Sequence, residues 1–298
     1  MKFKTIAVHG RNADPRVAEP MQVLVEHLQS KGLDVITDAT DDSDLTARVV
    51  SEGSLAQQAD MIIAIGGDGT MLHAARIARR HDVPLLGVNR GRLGFLADIT
   101  PDEMLQSVDQ VLAGDFHLEN RLLLIAERIR DGKVDGAAYA LNDVVLQRRE
   151  TGRMVDFETR IGGRLVNAHS GDGLIIATPT GSTAYALSCG GPIIEPALDA
   201  IVLVPICPHT LSDRPIVVPA SVQVEVKIVQ RADTKAEVTV DGHTIGELLP
   251  EDRLLVRDAQ QRVRLIHPPG YDYYEILRSK LHWGRDSRQR VPDAEDTD

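Results

Sequence analysis

The sequence predicts an α/β N-terminal domain built on an open parallel sheet, followed by a mostly antiparallel β-sandwich domain. Two observations carry this. Over residues 1–115, apolar runs of strand length alternate with segments of helical period. After Phe116 the apolar pattern switches to period two, punctuated by pairs of turn-forming residues. The length of 298 residues suits two domains. Strands that alternate with helices imply right-handed crossovers and a parallel, Rossmann-like sheet. The expected division is an α/β domain over residues 1–115 and a β-rich domain over 116–271. A helix over 272–284 is expected to pack back on the first domain, before a disordered polar tail over 285–298.

The elements follow in order. Residues 3–8 are an apolar, β-branched run ending near Gly10. Val17, Met21, Leu24 and Leu28 then share one helical face, with Gly32 as the stop. Residues 34–37 read as a short strand. Residues 61–65 (MIIAI) and 83–88 are continuous apolar runs, as expected of strands buried on both faces of a parallel sheet. Thr100-Pro101-Asp102-Glu103 has the pattern of a capping box before a helix carrying Leu105, Val108 and Leu112 and ending at Gly114. In the second half, residues 121–130, 137–147, 154–161, 221–229 and 237–240 read as strands. Asp131-Gly132, Gly162-Gly163 and Asp241-Gly242 suit tight hairpins. Tyr274, Leu277 and Leu281 mark the last helix, which needs a surface on which to bury its face.

Composition excludes several functions. The net charge of −11 argues against a nucleic-acid surface, and one Trp, five Tyr and four Phe leave little for base-stacking platforms. No apolar run approaches the ~18 residues of a membrane span. The first residues, MKFKTIAVHGRNADP, lack the long apolar stretch of a signal peptide. Cys189 and Cys207 form no disulfide framework, so both are expected to pack in the core of a cytoplasmic protein. No Cys-x-x-Cys or His-Glu-x-x-His spacing calls for a structural metal. The charge is unevenly spread: residues 34–60 hold seven acids and one Arg, whereas residues 70–96 hold five Arg and one Asp. That local excess of positive charge suits polyanionic ligands whatever the total.

Three motifs carry chemistry. Gly66-Gly67-Asp68-Gly69-Thr70 joins a buried strand to a helix, where ligands of open α/β sheets sit. Glycines there let backbone N–H groups approach an anion, and the helix N-terminus adds its dipole. The turn is neither a Walker A nor a GxGxxG fingerprint. Its aspartate would repel phosphate unless it has a task. General base toward a hydroxyl and ligand of a phosphate-bridging metal both fit, beside the plainer reading of an exposed turn residue. The second motif spans residues 171–188 (GDGLIIATPTGSTAYALS): an acidic turn, a buried strand, a hydroxyl-rich loop and a short helix from about Ser182. Hydroxyls and amides at a helix start hydrogen-bond base edges, ribose or phosphate. The third is Asn142-Asp143, a polar pair inside the apolar run of residues 140–147. It is either solvated near a strand end or faces a ligand with hydroxyls, such as a ribose diol.

These segments, together with residues 89–98 (NRGRLGFLAD), 205–215 (PICPHTLSDRP), Asp241-Gly242-His243 and 265–268, resemble the NAD kinase family. The likeness implies transfer of the ATP γ-phosphoryl group to the 2′-hydroxyl of the adenosine ribose of NAD, with a divalent cation (Mg2+) accompanying ATP. It implies an α/β and a β-rich domain with the nucleotide between them, and a homodimer or homotetramer. By the same likeness Asp68 would accept the ribose proton, and Gly67, Gly69 and Thr70 would face the ATP phosphates. Asn142 and Asp143 would hold NAD ribose and base. Asp172, Thr183, Ala184, Tyr185, Ala186, Leu187 and Ser188 match the family's NAD pocket. Phe95 matches an aromatic wall, Arg153 a phosphate contact and His243 a contact position that often holds Gln. Ser170 stands where relatives carry Arg or Gly.

Overall fold

Unbroken apolar runs must be covered on both faces, and their packing organises the first half of the chain. In the computed structural model the described residues are 3–11, 14–38, 45–91, 94–149, 154–229 and 236–283. The first half runs β1 (Thr5–Gly10), α1 (Pro15–Ser30), β2 (Asp34–Thr37), β3 (Arg48–Val49), α2 (Glu52–Gln58), β4 (Met61–Gly66), α3 (Asp68–Ala78), β5 (Leu85–Asn89) and α4 (Met104–Ala113). Its five strands are parallel, in the order β3-β2-β1-β4-β5. The chain changes winding direction between β1 and β4, so helices cover both faces. Val17, Met21, Leu24 and Leu28 of α1 pack with Val108 and Val111 of α4 on one face. Leu55 of α2 and Met71, Ala74 and Ala75 of α3 cover the other.

The second half continues with β6 (His117–Arg130), β7 (Lys133–Ala140), β8 (Asp143–Arg148), β9 (Val155–Ile161), β10 (Arg164–Gly171), β11 (Gly173–Ala177), α5 (Tyr185–Ser188) and β12 (Ala200–Ile206). Then come β13 (Ile216–Pro219), β14 (Val224–Ile228), β15 (Ala236–Val240), β16 (His243–Leu248), β17 (Arg253–His267) and α6 (Tyr273–Leu281). An antiparallel sheet of order β13-β12-β11-β8-β15-β16 stacks on β6, β9, β14 and β17. Leu124, Phe157, Val226 and Val256 of one layer meet Val144, Leu146, Ile176 and Val238 of the other, giving a β-sandwich. The α/β plus β-sandwich class therefore holds. The turn pairs behave as their chemistry requires. Asp131-Gly132, Gly162-Gly163 and Asp241-Gly242 all have positive φ and close two-residue hairpins.

Several expectations change in detail. The 15-residue β17 escapes the period-two reading because charged residues interrupt its apolar positions. It pairs antiparallel with β6 and β14 and parallel with β5, so the first-half sheet runs on into the sandwich as one sheet of eleven strands. Residues 137–147 are not one strand but two, broken at Leu141 and Asn142. The Leu141 carbonyl accepts from Thr178 Oγ1 and that of Asn142 from the Thr178 N–H. The capping box forms only as a Thr100 Oγ1 to Glu103 bond of 2.6 Å over a 3₁₀ turn, Pro101–Glu103, because no backbone N–H reaches the Thr100 hydroxyl. In α6 the buried residues are Ile276 and Leu277, while Tyr274 is exposed. Cys189 is half-buried at the edge of the α5 core and Cys207 is exposed, because Cys207 sits in a positive-φ turn beyond the end of β12.

Candidate active site

Strand β4 is buried throughout and delivers the Gly66–Thr70 turn beside the point where the sheet changes direction. Helix α3 starts at Asp68 itself, with Gly67 as N-cap in extended geometry. A Cβ on Gly66 would lie 2.3 Å from Thr70 Oγ1, so packing demands that glycine. A Cβ on Gly67 or Gly69 would meet no protein atom within 4 Å. The Thr70 N–H donates to the Gly67 carbonyl at 2.9 Å, closing the first turn. The Asp68 carboxylate accepts from the backbone N–H groups of Phe95 (3.3 Å) and Leu96 (3.2 Å). Gly94 makes this approach possible, since a Cβ there would lie 2.2 Å from Asp68 Oδ1.

The opposite wall comes from the sandwich. The segment after β11 folds as a 3₁₀ turn, Thr180–Thr183, followed directly by α5. Thr178 Oγ1 accepts from the Gly181 N–H, and Ser182 Oγ donates to the Pro179 carbonyl at 2.6 Å while accepting from Ile194 N–H at 2.9 Å. Gly181 lies against the Asn142 backbone, where a Cβ would fall 2.1 Å from the carbonyl oxygen. The two walls enclose a cavity of about 50 Å³ lined by Asp68, Phe95, Asn142, Thr180, Thr183 and Ala184. Asn142 and Ala184 also border a wider cleft of about 430 Å³, with Leu72, Asp143, Tyr185, Thr239 and Asp241 on its sides.

Asp241 is a site residue beyond those expected. In the β15–β16 turn its carboxylate accepts from three backbone N–H groups, those of Leu141 and Asn142 at 2.8 Å and Asp143 at 3.0 Å. It thereby holds the break between β7 and β8 that presents Asn142. Asp143 is buried, and burial together with the neighbouring Asp241 pushes its carboxyl up to about 7. Burial raises Asp241 as well, against the pull of its three N–H donors. Only Asp241's place in a turn is visible in sequence; its partners lie about a hundred residues earlier.

A basic cleft of about 200 Å³ adjoins the wide one through Leu72 and Asp241. His73, Arg76, Arg79, Arg80, Tyr139 and His243 line it. The Arg79 guanidinium stands 3.6 Å over the Tyr139 ring, and Arg76 donates to His73 Nδ1 at 2.6 Å. That bond needs an unprotonated Nδ1, and burial lowers the His73 pKa accordingly.

The structure thus gathers Asp68, Phe95, Asn142, Asp143, Thr183, Ala184 and Tyr185, with Gly67, Gly69 and Thr70 in the adjoining turn. His243 sits in the basic cleft, its Nδ1 donating to the Asp241 carbonyl at 3.1 Å. Asp172 pairs with Arg148 Nε at 2.9 Å, and the Ser170 carbonyl accepts from His209 N–H at 2.8 Å; neither lines these cavities. Ala186 is buried in the core, while Leu187 and Ser188 follow on α5 and line neither cavity. Arg153 lies outside the described residues.

Fold and site together define a two-domain α/β and β-sandwich protein whose interdomain cleft sets a fixed carboxylate among hydroxyls, amides and guanidinium groups. The chain belongs to the NAD kinase family. The ATP-NAD kinase N-terminal domain matches residues 12–116, and the ATP-NAD kinase C-terminal domain residues 141–268. It is 46% identical to a NAD kinase of Nitrosomonas eutropha over 289 residues, covering 94% of this chain and 95% of that one. It is 47% identical to a NAD kinase of Chromohalobacter salexigens over 284 residues, covering 94% and 97%. The fold is that of yeast NADH kinase in its crystal structure with NADH, with a TM-score of 0.86, 24% identity and 96% and 89% coverage. It is also that of an Archaeoglobus fulgidus NAD kinase solved with ATP, with a TM-score of 0.73, 24% identity and 93% and 98% coverage.

Proposed function

We propose that the chain transfers the γ-phosphoryl group of ATP to the 2′-hydroxyl of the adenosine ribose of NAD, giving NADP, with Asp68 as proton acceptor. The observation that carries this reading is the Asp68 carboxylate, pinned by two backbone N–H groups inside a cavity walled by Asn142, Thr180 and Thr183. A ribose hydroxyl is a weak nucleophile, and phosphoryl transfer depends chiefly on positioning and charge neutralisation. The ribose oxygen forms the new P–O bond, the bond to the β–γ bridging oxygen breaks, ADP leaves and the hydroxyl proton passes to Asp68. Gly67 and Gly69 leave room for phosphate at the N-terminus of α3, which favours negative charge. The Arg76, Arg79 and Arg80 side chains supply further positive charge at the C-terminal end of α3 and just beyond it, and His243 faces them from the β15–β16 turn. Mg2+ enters with ATP as part of the donor.

The wide cleft suits NAD. Asn142, Asp143 and Thr239 offer donors and acceptors to ribose and base, and Tyr185 offers a flat surface. We assign the phosphate donor to the domain of residues 1–115 and the dinucleotide chiefly to that of 116–271. A homodimer or homotetramer in the cytoplasm is part of the same reading. Exposed Leu165, Val166, Leu211 and Val217 at the outer edges of the sandwich support self-association. Among the described residues no helix is long and apolar enough to cross a membrane.

The test is NADP formation from NAD and Mg-ATP by the purified chain. Asp68→Asn is expected to lower kcat by about 10²–10⁴, the range of general acid–base contributions. A wild type that makes no NADP, or an Asn variant of equal kcat, would defeat the reading.

A further inference from the structure

Behind the Asp68 cavity lies a buried cluster that the proposed reaction does not use. Arg121 and Glu119 come from β6, His267 from the end of β17, Asp98 from the loop after β5 and Tyr271 from the segment before α6. The side chains of Arg121 and His267 are each 2% exposed. His267 Nδ1 lies 2.8 Å from Asp98 Oδ2 and its Nε2 3.0 Å from Glu119 Oε2. A carboxylate can only accept, so satisfying both contacts requires the doubly protonated ring. Arg121 Nη2 donates to Glu119 Oε2 at 2.7 Å and to the Tyr271 hydroxyl at 3.2 Å, and Nη1 donates to Thr180 Oγ1 at 3.2 Å. The Tyr271 ring stacks on His267 with centroids 3.7 Å apart. Two carboxylates, one guanidinium and one imidazolium make a neutral set, which is the form in which such a buried cluster is tolerated.

The cluster touches both walls of the Asp68 cavity. Asp98 is two residues from Leu96, whose N–H holds the Asp68 carboxylate. Thr180 lies on the opposite wall. We propose that His267, as an imidazolium shared by Asp98 and Glu119, is a positioning residue that with Arg121 keeps the Asp68 carboxylate and the Thr180–Thr183 turn in register. The proposal rests on the reading of Asp68 given above. Loss of the ring proton leaves a buried net negative charge and frees one carboxylate, so the wall carrying Phe95 and Leu96 loses an anchor. The two carboxylates raise the His267 pKa against burial and the nearby Arg121 cation, and the His267 and Arg121 partners hold Glu119 down at about 2. Further acids, Glu103, Asp272 and Glu275, face the same side across a cavity of about 380 Å³ that Asp98 and Tyr271 share.

Two variants and one spectrum test this. His267→Gln removes the charge, and Asp98→Asn removes one of the two carboxylates that retain the proton. With wild type, kcat is expected to fall at alkaline pH. In Asp98→Asn that fall moves to lower pH, and in His267→Gln it disappears with kcat already reduced about 10- to 100-fold, the cost of ångström-scale misplacement. The KM values for NAD and ATP should stay within about threefold, because the affected contacts position the reacting groups. Nitrogen NMR of the His267 ring should show both nitrogens protonated at neutral pH. A neutral ring, or kcat and pH profiles unchanged in folded variants of an active wild type, overturns the proposal alone. An inactive wild type overturns the Asp68 reading and this proposal together.

Discussion

Asp143 and Asp241 share one buried corner, but their surroundings divide the labour. Asp241 has three N–H donors for its charge, whereas Asp143 faces burial and the Asp241 charge, and its carboxyl rises to about 7 from an ordinary 3.8. The sign follows from linkage. A carboxyl raised on folding favours the native state fully below its unfolded pKa, and that contribution is lost as pH climbs through about 7. Asp143→Asn mimics the protonated group and removes this loss. Its thermal midpoint is expected to exceed that of wild type above pH 8 by several degrees, at ~2–4 °C per kcal/mol for larger domains. Parallel midpoint curves for the two proteins between pH 5 and 9 would show that Asp143 carries no such shift. At this scale Asn142-Asp143 was legible because it breaks an apolar run, and Asp68 because it stands in a glycine-rich turn between a buried strand and a helix. The roles of Asp241, Arg121 and His267 were not, because the partners that define them stand far off in the chain: about 100 residues away for Asp241, 59 and 150 for Arg121 besides its near neighbour Glu119, and 148–169 for His267.

Among elements, the pairing of α3 with the loop after β5 decides whether the carboxylate is placed. Asp68 opens the helix, and its side chain is held by amides that Gly94 allows to come close. Gly94→Ala puts a methyl group 2.2 Å from Asp68 Oδ1, so the carboxylate must rotate away. The expected result is a fall in kcat of about 10²-fold with the thermal midpoint nearly kept, because the clash falls on the end of one side chain. Equal kcat in the Ala variant would show that the held rotamer is not the working one. Helices and strands of the first half were readable because their apolar faces repeat locally, as in α1. The break between β7 and β8 was not, since it is imposed by Thr178 hydrogen bonds from a strand end 37 residues later.

For the whole molecule, β17 is the element that makes two halves one body. Its Leu265 and Ile266 pair with Leu85 and Leu86 of β5, while residues 253–267 run along β6. Val263 and Leu265 belong to the core under α2 and α3, and Ile266 to the core under α1 and α4. The domain of residues 1–115 therefore finishes its own core with residues contributed some 150 positions later. Composition and periodicity marked the change of rhythm at Phe116 but could not reveal this return, because strand pairing over that separation leaves no local pattern. A fragment of residues 1–116 lacks the apolar side chains of β17 and exposes β5 as an unpaired edge, which favours aggregation over folding. It is expected to show no cooperative thermal transition, while the full chain unfolds in a single one with equal calorimetric and van't Hoff enthalpies. A fragment melting cooperatively near the full-chain midpoint would mean that β17 joins an already complete domain. The same dependence bears on catalysis. β17 carries His267 at its end and packs along the strand that holds Glu119 and Arg121, so weakening its pairing with β5 should lower kcat as well as stability.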